Sequence, residues 1–282
     1  MARLYIEKSG LQTSMQDLGR IAHADLGVPL SGPMDEMAFR LANHLMRRSS
    51  NEACIELYMG NVVLQFEAAC QLVLTGAEVE CRCENKLYTT NQIIGIPEGG
   101  RLIIPRFSSG QWAYLAMNGV FFTQTSMGSK SFYPGISEKS RFTQGNELAY
   151  QPERKPIPPS FLKIKSGNSG SSRMIDAFRG PSFYLLAQFQ QEMLQNQPFT
   201  LSRNQNRMGI QLEEKVPHAL AEMISTPTYP GTVQLTPAGT LIVLMKDAQV
   251  TGGYHRVLQL PVSSMSQLAQ LRPGATFRFQ LH

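Results

Sequence analysis

Charge is scarce in this sequence. Charged residues make up 17% of the chain, where globular proteins ordinarily carry about 25%. Lys plus Arg number 26 against 21 for Asp plus Glu, a net charge of +5, and no Lys/Arg run exceeds Arg47-Arg48. A dedicated nucleic-acid binder concentrates its basic residues, so no nucleic-acid partner is expected. Long apolar runs are missing too. The uncharged stretch Gly110–Ser129 holds Gln111, Asn118 and Gln124 among Ser, Thr and Gly, which is too polar for a membrane span of about 20 residues. The opening MARLYIEKSG has no apolar secretory core, so a cytoplasmic protein without membrane association is expected. Cysteine is confined to Cys54, Cys70, Cys81 and Cys83. Cys81-x-Cys83 places two thiols on one strand face, but neither CxxC nor histidine follows at zinc spacing. Reduced thiols and no metal site are the expectation.

What is present reads as a β-rich protein. At 282 residues the chain is one large domain or two modest ones, and 42% hydrophobic residues exclude global disorder. Short apolar runs lie between Gly, Asn and Pro: Val62–Phe66, Leu72–Leu74, Arg101–Ile104, Ala113–Ala116, Thr240–Leu244 and Thr276–Phe279. Such spacing suggests barrels or sandwiches, mainly β with minor α. Turn pairs at Gly99-Gly100, Pro134-Gly135, Pro230-Gly231 and Pro273-Gly274 suit chain reversals. Two helices are predicted. One covers Met34–Met46, with Met37, Ala38, Leu41, Ala42 and Leu45 at helical spacing and Ser31 as its cap. The other covers Ser182–Asn196 and stops before Pro198. A Pro-rich run, a short strand at Phe161–Ile164 and the Gly/Ser tract 166–172 divide the chain. The reading is an N-terminal β-rich domain over 1–151, a linker over 152–173 and a C-terminal domain over 174–282. The Gly/Ser tract lacks the Lys-Ser/Thr ending of a phosphate loop.

Three polar clusters around glycine could carry chemistry. Gln16-Asp17-Leu18-Gly19-Arg20 offers an amide, a carboxylate and a guanidinium fork, suited either to a small amide or carboxylate ligand or to an Asp17–Arg20 loop brace. In Asn206-Arg207-Met208-Gly209, Arg207 can hold a carboxylate or phosphate bidentately, or sit at a strand entrance. Lys246-Asp247-Ala248-Gln249-Val250-Thr251-Gly252-Gly253-Tyr254-His255 follows a strand. Asp247, Gln249 and Thr251 share one face if that strand continues, and Gly252-Gly253 would let backbone approach a ligand. The alternative is a wide loop on a barrel rim. Of the scattered histidines only His255, beside this cluster, is a candidate titrating group.

Taken in order, these runs resemble a known family. They are Gly10–Arg20, Gly27–Asp35, Leu41-Ala42-Asn43, Ile55-Glu56, Leu74–Ala77, Ala113–Ala116 and Met127–Ser131, then Phe178–Pro181, Asn206–Gly209 and Asp247–Tyr254. The match is to the KipA / PxpC family, also called allophanate hydrolase subunit 2-like or biotin-dependent carboxyltransferase-like proteins. The resemblance implies cyclophilin-like β-barrel domains. It implies the PxpC-type component of a 5-oxoprolinase that opens 5-oxoproline to glutamate with ATP and magnesium, beside KipI/PxpB-like and PxpA-like partners. Phosphorylating the lactam oxygen would supply a leaving group. Under that reading Arg20, Arg207 and the Gly252-Gly253 backbone are the candidate donors to phosphoryl oxygens. Asp17 and Asp247 would orient the lactam or hold magnesium, and Gln16, Ser31, Asp35, Asn206, Gln249, Thr251 and Tyr254 would line the substrate. The three clusters would then share a cleft, and Arg207→Ala or Asp247→Asn would abolish turnover without altering the melting temperature. Relatives fused into urea carboxylase suggest an alternative, carboxyl transfer to urea or another small amide from a biotin carrier, although the chain has no Met-Lys-Met carrier motif. A third role is a non-enzymatic regulator that binds a KipI-like histidine-kinase inhibitor. The chain departs from the family pattern at Ala248, where relatives often carry Arg, and at His255, where they commonly carry Pro.

Overall fold

The computed structural model describes residues 1–158 and 174–282. The chain divides into two compact units, Met1–Arg20 with Ser31–Lys165, and Ile21–Leu30 with Ser166–His282. The strand expected at Phe161–Ile164 and the Gly/Ser tract lie outside the described residues. The start of the proposed linker belongs to unit 1. Pro152 ends a strand, and Gln71 exchanges two side-chain hydrogen bonds with the backbone of Ile157.

Unit 1 is built of strands β1 (Ala2–Ser9), β2 (Gln12–Gln16), β3 (Cys54–Tyr58), β4 (Gly60–Phe66), β5 (Cys70–Glu78) and β6 (Glu80–Cys83). They are followed by β7 (Lys86–Thr89), β8 (Ile93–Ile96), β9 (Arg101–Arg106), β10 (Ser109–Met117), β11 (Gly119–Phe122) and β12 (Glu147–Pro152). One sheet runs β11-β12-β1-β4-β9-β6-β7 and the other β2-β3-β10-β5-β8. In β1 and β4 apolar residues alternate with polar ones, so Leu4, Ile6, Val62 and Leu64 turn to a core shared with Ile55, Leu57, Leu72 and Leu115 of the other sheet. β10 is buried from Gln111 to Met117. Its second face is covered by helix α1 (Glu36–Leu45), where Phe39 meets Tyr114 edge-on at 6.1 Å.

Helix α1 is capped differently from the expectation. Asp35 is the cap, its carboxylate accepting from the Ala38 N–H at 2.9 Å. A cap side chain reaches only the second or third helical N–H, and Ser31 lies beyond that reach. Ser31 instead adopts a left-handed φ of 59°. Buried Glu56 accepts from the Met34 N–H and the Tyr114 hydroxyl, which fixes the helix entrance.

Unit 2 is a closed barrel with strand order β13-β20-β17-β18-β15-β14-β21. Its strands are β13 (Met174–Arg179), β14 (Phe199–Gln205), β15 (Gly209–Lys215), β17 (Thr232–Leu235), β18 (Thr240–Leu244), β20 (His255–Gln259) and β21 (Thr276–Leu281). Phe199, Val233, Leu235, Val243, Phe277 and Phe279 are buried within it. A small ladder of β16 (Thr226–Pro227) and β19 (Thr251–Gly252) stands outside the barrel order. The helix predicted over Ser182–Asn196 is interrupted. A 3-10 turn covers Phe183–Leu185, Leu186 and Ala187 are extended, and α2 spans only Gln188–Asn196. The Gln190 side chain accepts from the Ala187 N–H at 2.7 Å, which starts a fresh helix there. Helix α3 (Val262–Gln270) was not predicted. Its apolar stripe is only Met265, Leu268 and Ala269, diluted by serines. Of the seven predicted strands, the six within the described residues fall inside observed ones. Among the described residues no helix is long and apolar enough to cross a membrane.

Candidate functional site

The first polar cluster lies in unit 1, where β2 ends. The Asp17 carboxylate is filled by short hydrogen bonds. One oxygen accepts from Ser129 Oγ at 2.5 Å, Ser131 Oγ at 2.8 Å and the Gly19 N–H at 3.0 Å; the other accepts from the Lys130 N–H at 2.7 Å. Arg20 donates to the Ser131 carbonyl and to Ser137 Oγ. Two sequence motifs, Gln16–Arg20 and Met127–Ser131, are thus folded onto each other, with Ser131 gripped from both sides. Gly32 packs here as well: at φ 95° a Cβ would come within 3.2 Å of the Asp17 carbonyl. Gln16 gives its amide N–H to Ser14, while its carbonyl oxygen and Ser31 Oγ are buried without a partner. Asp35 is occupied as the cap of α1.

The second and third clusters come together in unit 2. Asn206 forms the turn between β14 and β15, its side-chain oxygen accepting from the N–H groups of Met208 at 2.7 Å and Gly209 at 3.1 Å. That turn sends Arg207 inward, where its guanidinium grips Asp247 bidentately at 2.7 and 2.9 Å. The side chains retain only 8% and 7% of their exposure. Arg207 therefore holds a carboxylate, as its chemistry foretold, but the carboxylate is the chain's own. The strand beyond Leu244 does not continue. Lys246-Asp247 form a turn closed by the Ala248 N–H on the Met245 carbonyl at 3.1 Å, and the Asp247 N–H donates to the Arg207 carbonyl at 2.8 Å. Asp247 consequently turns inward while Gln249 and Thr251 are exposed, so the three do not share a strand face. Ala248 is buried in the same turn. His255 donates from Nε2 to the Ala221 carbonyl at 2.8 Å and stacks edge-on to His218, away from this chemistry.

Beside the ion pair the barrel carries a cleft of about 500 Å³. Its lining includes six carboxamides, Asn204, Gln205, Asn206, Gln211, Gln234 and Gln249, with Tyr254 over them, Ile242 and Leu244 as apolar patches, and Arg203 as its cation. No carboxylate lines it. The floor is a cross-strand row in which Ile242 stands opposite Gln211 on one side and Gln234 on the other. Alternation puts Val233 and Leu235 into the barrel and Gln234 on its outer face. Even so, Gln234 is only 1% exposed. Its side-chain oxygen accepts from Gln249 at 3.4 Å, while its amide nitrogen, like that of Gln205, has no partner. Gly252 is the neighbour that permits this, since a Cβ there would lie 2.5 Å from the Gln234 amide nitrogen.

Of the predicted substrate residues, Asn206, Gln249 and Tyr254 line the cleft and Gly252 supports it from behind. Gly252 also pairs with Thr226 in the small ladder, so the glycine serves a close approach by the protein itself. Gln211 and Gln234 were missed. Their signal was a single glutamine between inward apolar residues on strands that proved to flank one another. Among the described residues no three His, Cys, Asp or Glu side chains gather as a metal site. The cleft can offer N–H donors to carbonyl oxygens, and it can fill the space around a small apolar ring.

Against known proteins, the family described as carboxyltransferase domain, subdomain A and B, matches residues 26–281. The 5-oxoprolinase C-subunit of Escherichia coli (strain K12) is 31% identical over 284 residues, which take in 98% of this chain and 90% of that one. A urea amidolyase of Lachancea kluyveri is 32% identical over 307 residues, 97% of this chain but 16% of that one. The crystal structure of TTHA0988 superposes with a TM-score of 0.88 at 26% identity, covering 99% of this chain and 56% of the other, so this chain spans little more than half of that protein.

Proposed function

The chain belongs to the family of carboxyltransferase domains, subdomains A and B, and on that footing we propose that it is the PxpC-type component of a cytoplasmic, ATP-dependent 5-oxoprolinase. It would act with KipI/PxpB-like and PxpA-like partners to convert 5-oxoproline to glutamate. The observation that carries the reading is the cleft of unit 2, with its carboxamide lining and two amide nitrogens that lack acceptors. A lactam supplies the carbonyl such donors require. The full-length likeness to a 5-oxoprolinase component supports the same substrate.

The residues do not fit magnesium or its nucleotide at this cleft. The lining has no carboxylate, Asp247 is engaged by Arg207, and Asp17 is enclosed by serines. In this reading the chain holds the lactam, and the nucleotide is bound on a partner or shared surface. Arg207 and Asp247 then act on the substrate indirectly, by fixing the turn that carries Asn206 and the loop that carries Gln249.

The likeness to urea amidolyase favours a second reading, carboxyl transfer from a biotin carrier to urea or another small amide. One experiment separates the two. ADP release is followed with the chain and both partner proteins, with 5-oxoproline or urea. Turnover that needs 5-oxoproline and all three chains is the expected result. Turnover with urea that needs a biotinylated carrier favours the second reading. A stable complex with no turnover on either substrate contradicts both and leaves the KipA-type regulatory role.

A further inference from the structure

The carboxamide of Gln234 is out of place as a structural group. It is 1% exposed, and its amide nitrogen has no hydrogen-bond partner. Leaving such a donor buried and unpaired costs on the order of 1–3 kcal/mol, yet a leucine at this position would fill similar space. The side chain is also held at a set place. Gln249 donates to its oxygen at 3.4 Å, which leaves the nitrogen directed toward Gly252. The absent side chain of Gly252 supplies the room that nitrogen occupies. A donor that is buried, oriented and unpaired at the floor of a cleft is prepared for an acceptor that arrives from solution.

The rest of the lining narrows the class of that acceptor. Ile242 stands directly beside Gln234 in the sheet, and Leu244 also lines the cleft, so one flank accepts methylene groups. Arg203 is exposed at the rim and makes no ion pair with any described residue. Urea has no methylene and no charge, and it would leave both features unmatched. A five-membered lactam bearing a carboxylate uses all three.

We infer that Gln234 is the specificity-determining donor that reads the carbonyl oxygen of a carboxylated lactam, positioned by Gly252, and that Arg203 receives the ligand's carboxylate. This rests on the 5-oxoprolinase reading and deepens it by assigning residues to each part of the substrate. Gly252 acts as a positioning residue. A methyl group there displaces the end of a flexible side chain, so the barrel tolerates it while the carboxamide moves.

The test is equilibrium binding to the full chain by calorimetry, with 5-oxoproline, 2-pyrrolidinone (the same lactam without the carboxylate) and proline (the ring acid without the carbonyl) as probes. Wild type is expected to bind 5-oxoproline most tightly, and proline at least about tenfold more weakly, because a buried donor rejects a ligand that cannot pair with it. Gln234→Leu and Gly252→Ala should each weaken both lactams about tenfold and leave proline unchanged. Arg203→Ala should weaken 5-oxoproline about tenfold and leave 2-pyrrolidinone unchanged. Gly252→Ala retains the Gln234 side chain, so it answers the question even where Gln234→Leu fails to fold. Absence of 5-oxoproline binding to wild type, or equal binding by wild type and Gly252→Ala, overturns the inference. The two readings fail separately. ADP release with an unchanged KM in Gly252→Ala overturns the assignment of Gln234 alone, whereas Gln234-dependent binding without ADP release overturns the enzymatic reading alone.

Discussion

The Asp17 cluster of unit 1 and the Asn206–Tyr254 region of unit 2 look alike in sequence, since each mixes Asp, Arg, an amide and glycine. They differ in where their hydrogen bonds go. Four protein donors surround the Asp17 carboxylate, and Arg20 binds the very segment that supplies them. Unit 2 separates these tasks: Arg207 and Asp247 neutralise each other in the interior, and two of the neighbouring carboxamides that line the cleft keep buried donors without a partner. Residue type alone does not distinguish a brace from a binding site. What separates them is that the unpaired carboxamide donors of unit 2, on Gln205 and Gln234, belong to residues that line a cleft.

The largest expected effect strikes at the brace in unit 2. Arg207→Ala strands the Asp247 carboxylate in the interior, and breaking a buried ion pair costs about 3–5 kcal/mol. Denaturant unfolding should record that loss, so the expectation of an unchanged melting temperature is withdrawn. An unaltered midpoint would show that the pair does not hold the turn. Next in size, Asp17→Asn keeps the shape but sets an amide against the Ser129 and Lys130 donors. A loss of about 1–3 kcal/mol is expected by the same measurement, with 5-oxoproline affinity retained.

Gln234→Leu sharpens the contrast in the opposite direction. It removes a donor whose unpaired burial costs about 1–3 kcal/mol, so stability should hold or rise while lactam binding falls. A substantial loss of stability without a loss of binding would make Gln234 a structural residue. The smallest effect concerns the closed character of unit 1. Burial pushes the Cys54 and Cys70 thiols up to about 12 from an ordinary 9.0. Between those values the unfolded chain binds fewer protons than the folded one, so stability present below pH 9 declines as pH rises toward 12. Urea midpoints that fall from pH 8 to pH 10 would agree with this, as would native thiols that resist alkylation at pH 8. A flat profile with rapid labelling would contradict it.

Strands were legible because their period is local. The alternation in Thr276–Phe279 is set by one buried face, whatever the partner strand. Helix limits were less so. The Ser182–Asn196 pattern hides the extended step at Leu186-Ala187, which depends on the Gln190 side chain reaching back to the Ala187 N–H. Helix α3 escaped because serines occupy much of it. At the site, Asn206, Gln249 and Tyr254 of the sequence motifs line the cleft. Partnership could not be read. Asp17 is filled by serines more than a hundred residues away, and Gln234 matters only because β17 lies beside β18 and beneath Gly252. Those are facts of topology, invisible to spacing.

The central claim is that the carboxamides of unit 2 serve a ligand while the carboxylate of unit 1 serves the fold. Thermal unfolding with and without saturating 5-oxoproline tests it most directly, because a ligand that binds only the folded chain raises its stability. The account predicts that wild type and Asp17→Asn both gain thermal stability on adding 5-oxoproline, the latter from a lower starting point, while Gln234→Leu starts no lower than wild type and gains almost nothing. A gain in Gln234→Leu equal to that of wild type would contradict it.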